Sequence, residues 1–345
     1  MRRVACIALL SCATQGGDGQ GDVDLPRTGV GPFRKLEAKE VPGVAPYVLD
    51  NLNARYRQPA ALALDDGSVA LYVVAVDAGQ DVIVRTRAQD QRAFYGAVGD
   101  FGHKPPVVLR ADLPWEGTAL AKPAIVRFQG RYSLYYRAEA GRIGLARSDD
   151  GFRFTKEPQP VLARDASVAW ETQDLTGVTA AVLEDRVHLF YASNGAIGEA
   201  VSDDGVHFTR VDGHPETPAL DPVLQPGPAG GFDAFGVFEP CASPRQTPSG
   251  RLQVRVLYTG YDKDPAAGGK SVIAFAGRYG TAGALSRNPL PVYAVGQGEH
   301  APALWGGEAY DMLYVEQSKG YPAIAAAVAP VKQRFTEPDG FAPDP

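Results

Sequence analysis

Cysteine, methionine and tryptophan are almost missing from this chain, at 3, 2 and 3 of its 345 residues. So few cysteines exclude a disulfide-stapled scaffold, and a hydrophobic core must hold the fold instead. Positive charge is not in excess either. Against 34 Lys+Arg stand 40 Asp+Glu, a formal charge of −6, and the basic residues form no cluster. That excludes nucleic acid as a partner, because neutralising phosphates requires a basic surface. No apolar run approaches the ~20 residues that cross a bilayer. The chain also lacks a Gly-x-x-x-x-Gly-Lys-Ser/Thr loop, a dinucleotide fingerprint behind a strand, a Gly-x-Ser-x-Gly elbow and a His-Glu-x-x-His pair. No cofactor and no required metal are expected. The acidic loop Asp262-Lys263-Asp264 sets two carboxylates beside a lysine, a weak calcium ligand set.

What the chain does have is a hydrophobic fraction of 45%, ample for a large core, with 39 Gly and 28 Pro spread between apolar runs. That punctuation predicts many short strands joined by turns. An internal repeat organises them. Ala146-Arg147-Ser148-Asp149-Asp150-Gly151-Phe152-Arg153-Phe154 returns as Ala200-Val201-Ser202-Asp203-Asp204-Gly205-Val206-His207-Phe208. Before each copy come an apolar strand, a polar turn, an aromatic strand and an Ile-Gly-x-Ala strand. Weaker copies start at Pro59, Pro240 and Pro302, so that Pro59, Pro123, Val178, Pro240 and Pro302 open five units at near-constant intervals. Four-stranded meanders repeated in this way read as an all-β, five-bladed β-propeller of antiparallel blades. The blades are longer than the usual ~40–50 residues, which implies long loops. Residues 33–345 are expected to form this single domain, with 33–52 wrapping around or closing the ring. In the Ser-Asp-Asp-Gly turns the polar side chains should bond local backbone N–H groups, while the aromatic that follows packs between blades.

The amino terminus reads differently. Arg2 and Arg3 precede the apolar run Val4 to Leu10, the layout of an export signal. Leu9-Leu10-Ser11-Cys12 resembles a bacterial lipobox. This resemblance implies a lipoprotein signal over residues 1–11, lipidation at Cys12 and a Gly/Asp-rich tether over 12–32. A lipid anchor would hold the domain on a membrane surface of the bacterial cell envelope, at the outer membrane or cell surface. With Cys6 removed and Cys12 acylated, Cys241 would be the only free thiol.

The repeated Ser-Asp-Asp-Gly-x-x-Phe turns, Glu239-Pro240 opening the fourth unit and Gly298-Glu299-His300 opening the fifth resemble the five-bladed propeller glycosidases. These comprise glycoside hydrolase families 43, 32, 62, 68 and 130. The resemblance covers roughly residues 50–330 and implies a carbohydrate ligand in the axial cleft. Family 43 would supply a general base Asp on blade 1, an orienting Asp on blade 3 and a general acid Glu on blade 4. Glu239 matches the acid. At the base position the chain reads Arg57-Gln58-Pro59, an amide where an acid is needed, and the aligned blade 3 position is about Gly177. Asp174 and Asp233 are the substitute candidates for the base. Arg57, Gln58, Lys122, Trp170, Glu171 and His300 are expected to bind substrate, Lys122 or Arg57 favouring an anionic group and lowering the Glu239 pKa. Two readings stay open: an envelope-anchored glycoside hydrolase-like enzyme, or a non-catalytic carbohydrate-binding or scaffold propeller that has lost its base. A monomer is expected in either case.

Overall fold

The computed structural model describes residues 30–40, 47–94, 104–246, 251–296, 298–306 and 310–330. The signal segment, Cys12 and nearly all of the expected tether lie outside the described residues. The described chain forms five antiparallel sheets, one per repeat. Blade 1 runs Arg57–Ala63, Val69–Asp77, Gln80–Ala88 and Val107–Leu109. Blade 2 runs Ala121–Phe128, Arg131–Arg137, Ile143–Ser148 and Thr155–Lys156. Blade 3 runs Gly177–Leu183, Arg186–Ser193, Ala196–Ser202 and Thr209–Val211. Blade 4 runs Gly236–Ala242, Leu252–Tyr261, Ser271–Tyr279 and Ser286–Arg287. Blade 5 takes His300–Gly306, Tyr310–Ser318 and Pro322–Pro330 from the end of the chain. Its outer strand comes from the beginning, where Arg34–Lys35 and Tyr47–Leu49 both pair with Pro322–Pro330. The expected closure through residues 33–52 therefore completes the last blade and removes an open sheet edge.

The core is divided among the seams between blades. Leu71, Val73, Met312 and Tyr314 meet between blades 5 and 1, and Tyr72, Leu134 and Tyr136 between blades 1 and 2. Tyr135, Leu189 and Tyr191 fill the next seam, Phe190, Val256 and Tyr258 the one after, and Leu257, Phe275 and Leu313 the last. The repeated turns fasten these seams. Ser148 and Asp150, like Ser202 and Asp204, bond the N–H groups of their own turns. The Tyr72 hydroxyl donates to the Gly151 carbonyl at 2.9 Å, and the Tyr135 hydroxyl to that of Gly205 at 2.8 Å. Phe154 and Phe208 pack edge-on against the same two tyrosine rings, so the aromatic of each turn does sit between blades. Tyr314 repeats the device on the closing seam, with Gln91 O at 2.8 Å and Phe94 edge-on. Between blades 3 and 4 a buried ionic group replaces it: Glu199 accepts from Arg278 at 2.7 Å and meets His188 Nδ1 at 2.7 Å.

Candidate functional site

Each first strand begins at one mouth of the central channel and runs down it. Four of the five carry the same distortion there. Register slips between Arg57 and Ala60, Ala121 and Ala124, Phe238 and Cys241, and His300 and Ala303. Inside the slips Gln58, Lys122, Glu239 and Ala301 stand at φ 52°, 48°, 52° and 51°, each followed by proline. A left-handed conformation is strained for non-glycine residues and is held only where the surroundings over-determine it. Here the bulges turn successive side chains and N–H groups onto the axis. Blade 3 has no slip. Gly177 lies there with room for no side chain, since a Cβ would come within 3.2 Å of the Glu239 Cα.

The bulged residues bond one another around the axis. Lys122 Nζ forms an ion pair with Glu239 Oε1. The other oxygen, Oε2, accepts the Thr259 hydroxyl at 2.9 Å and the Ala301 N–H at 2.7 Å, with His300 Nδ1 at 3.3 Å. The opposite imidazole nitrogen faces Glu316 Oε1 at 3.4 Å. Glu316 Oε2 accepts the Gln58 N–H at 3.0 Å, and the Gln58 amide oxygen accepts the Lys122 N–H at 2.9 Å, which completes a circuit across four blades. Arg57 pairs with Asp81 beside it. Burial would raise the Glu239 carboxyl, but the Lys122 and His300 charges override it and hold it well below the ordinary 4.5. Burial would lower His300, and the Glu239 and Glu316 carboxylates instead raise it above 6.5. Glu316 goes the other way from Glu239: burial lifts it above 4.5, and His300 and Lys122 offset only part of that rise. Burial and both carboxylates push Tyr261 up to about 12. The axial cavity measures about 70 Å³ and is lined by Gln58, Lys122 and Glu239 of this cluster together with Pro59, Pro123, Val178, Pro240 and Pro302. Since one water needs about 10–15 Å³ of such space, the channel takes a few waters.

Of the residues expected from sequence, Gln58, Lys122, Glu239 and His300 come together, while Arg57 beside them turns its guanidinium to Asp81. The others do not join them. Asp233 does not act as a base here: it is 1% exposed and spent on the Tyr258 hydroxyl at 2.8 Å and Arg287 Nε at 2.6 Å. Glu171 is likewise removed from any ligand, 1% exposed and bonded by Tyr191 at 2.7 Å and by Arg210. Trp170 stacks on Tyr191 at 5.7 Å and covers Gly198, so it packs the blade and offers no stacking face at the mouth. Trp115 and Glu116 do the same for Tyr136 one blade earlier, which identifies a repeated structural unit of acid, tyrosine and base. Asp174 is exposed on the loop entering blade 3, and among the described residues it has no polar partner and no contact with Glu239. Among the described residues no group of His, Cys, Asp and Glu is arranged to hold a metal. Burial pushes the Cys241 thiol up to about 11, leaving it protonated and unreactive.

Glu316, Thr259 and Tyr261 were not among the residues expected from sequence. All three lie at or near the mouth end of second strands, and Glu316 stands directly opposite His300 in the register. The available signal was Glu316 at the end of the apolar run Met312 to Val315, which pairing of the meander places beside His300.

No protein family matches the sequence, and no curated protein does. Solved structures do resemble the fold. A candidate glycoside hydrolase from Bacteroides ovatus superposes with a TM-score of 0.64 at 16% identity, over 89% of this chain and 99% of that one. The beta-1,2-mannobiose phosphorylase from Listeria innocua gives 0.62 at 11% identity, over 88% and 98%. The alpha-L-arabinofuranosidase from Lactobacillus brevis gives 0.56 at 12%, over 90% and 100%. At these identities the likeness is one of fold: the chain is a five-bladed β-propeller of the kind that glycoside hydrolases and glycoside phosphorylases share.

Proposed function

We propose that this protein binds a glycan at the axial mouth and does not hydrolyse it. The observation that carries this reading is the Lys122–Glu239 ion pair. Glycoside hydrolysis requires one carboxyl that carries a proton to the leaving oxygen and a second that is free to activate water or attack. Glu239 is ionised by its neighbours, and both of its oxygens are occupied. The blade 1 position holds Gln58, whose amide is not a base and is committed to Lys122 N–H. What remains is a ring of donors and acceptors suited to hydroxyl groups, in which Lys122, Arg57 and His300 are each already matched by a carboxylate, so a neutral polyhydroxylated ligand suits it best.

A second reading is favoured by geometry: Glu239 and Glu316 face the two nitrogens of His300 from opposite sides, and their carboxyls are displaced in opposite directions. Carboxyl pairs driven apart in pKa are how acid and base roles are divided. A hydrolase would then use Glu316 as acid and Glu239 as base. Screening the protein against aryl-glycosides and plant and bacterial polysaccharides separates the two. Binding without turnover supports the first; turnover abolished by Glu316→Gln and by Glu239→Gln supports the second and overturns the first.

The same proposal places the propeller on the bacterial envelope as a monomer, held by lipid on Cys12. Its support is the amino-terminal pattern alone, Arg2 and Arg3 before the apolar run to Leu10 and then Ser11-Cys12. Partition into detergent that is lost on Cys12→Ala is the expected result.

A further inference from the structure

Blade 4 carries an aromatic group that the ion cluster does not use. Phe235, just before the first strand, is 43% exposed. It stacks on Phe238 with centroids 6.2 Å apart and planes 26° apart, and Phe238 meets Tyr261 edge-on at 5.8 Å. Among the described residues the other exposed large aromatic is Phe152, at the opposite end of the blades and covered by the Arg85 guanidinium 3.9 Å from its ring centre. Phe235 is thus the exposed aromatic of the mouth.

Its position is fixed from three sides. The Phe235 N–H donates to Tyr261 O at 2.9 Å, and Val237 N–H to Gly195 O at 2.9 Å. Two glycines make the space: a Cβ on Gly236 would meet Phe238 Cε2 at 2.7 Å and Gly195 Cα at 2.9 Å. The shelf ends at the cluster, because Phe238 precedes Glu239 in the chain and Tyr261 feels the charges of both Glu239 and Glu316. A single exposed phenylalanine needs no explanation. A rigid row of three rings running into a circuit of charged donors and acceptors requires an occupant with one apolar face and a polar rim. A pyranose has both, its C–H face for the ring and its hydroxyls for the cluster. A purely apolar occupant would strip water from Lys122 and Glu239 with nothing in return.

We propose that Phe235, backed by Phe238 and Tyr261, is a stacking subsite for one pyranose ring of the glycan, adjacent to the Glu239 cluster. This rests on the glycan-binding reading above. The test is calorimetric titration of the full chain in detergent with three pyranose probes, β-1,2-mannobiose, xylohexaose and cellohexaose. Phe235→Ala should weaken the best-bound of these about tenfold, equal to ~1.4 kcal/mol, with an unchanged melting temperature. Phe235→Trp should restore affinity to within about twofold. Wild-type binding that Phe235→Ala leaves intact overturns the subsite and spares the glycan reading. No binding of any probe by the wild type overturns both. If the wild type self-associates and Phe235→Ala makes it monomeric, the shelf is a contact between copies and the subsite is overturned.

Discussion

Glu239 shows how neighbours decide what a carboxylate can do. A lysine, a histidine, a threonine hydroxyl and a backbone N–H all stabilise its charged form. Lys122→Met should therefore release part of that hold and destabilise the fold by about 1–3 kcal/mol, less than a fully buried pair because both side chains keep some solvent contact. Urea unfolding measures it, and adding Glu239→Gln should recover most of the loss, since the uncompensated charge is then gone. The pH dependence follows from the directions of the shifts. Glu239 is depressed, so its contribution is full above 4.5 and is lost as pH falls through its lower folded value. His300 is raised, so its contribution is full below 6.5 and is lost as pH rises through its higher folded value. The stability difference between wild type and His300→Gln should accordingly be largest between about pH 4.5 and 6.5 and shrink above that range.

At the scale of the strand and turn, the repeat was legible and its purpose partly so. The Ser-Asp-Asp-Gly turn and the aromatic after it could be read as a blade-to-blade contact because turn chemistry is local and the motif occurs twice. The tyrosine that receives it could not, since Tyr72 and Tyr135 are remote in sequence from Gly151 and Gly205. Tyr135→Phe should cost about 1–3 kcal/mol by leaving the Gly205 carbonyl without its buried donor, read from denaturant midpoints at unchanged m-value. The same limit explains Trp170, Glu171 and Asp233. An aromatic and an acid ahead of a first strand look identical in sequence whether they face a ligand or a core tyrosine. Only the positions of Tyr191, Arg210, Tyr258 and Arg287 distinguish the two.

The whole molecule is a ring, and a ring is as strong as its closing seam. Leu36, Val48 and Leu49 are buried at that seam, and Val30 and Phe33 at the neighbouring one between blades 4 and 5. Removing residues 1–49 should abolish cooperative unfolding, because losing those side chains forfeits on the order of 5–10 kcal/mol, comparable to the entire stability of a domain. Removing residues 1–29 keeps every described contact and should leave the melting temperature within a few degrees. Calorimetry on the two truncations makes the comparison, and equal melting would show that the early strands do not close the ring.

The sequence alone determined the class of fold, the number of blades and the turn chemistry, and its candidate list contained Gln58, Lys122, Glu239 and His300 of the mouth beside others that lie elsewhere. These follow from periodicity and from residues at the openings of repeated strands, which are local properties. The tertiary structure alone decided the ionisation of Glu239 and His300 and the company the mouth residues keep. Charge state depends on distances between blades: Lys122 neutralises Glu239 across two seams, and Glu316 enters the cluster through its pairing with His300. Whether a carboxyl can give up or take a proton is therefore settled by how the ring brings distant strands to one axis, which no stretch of the chain encodes by itself.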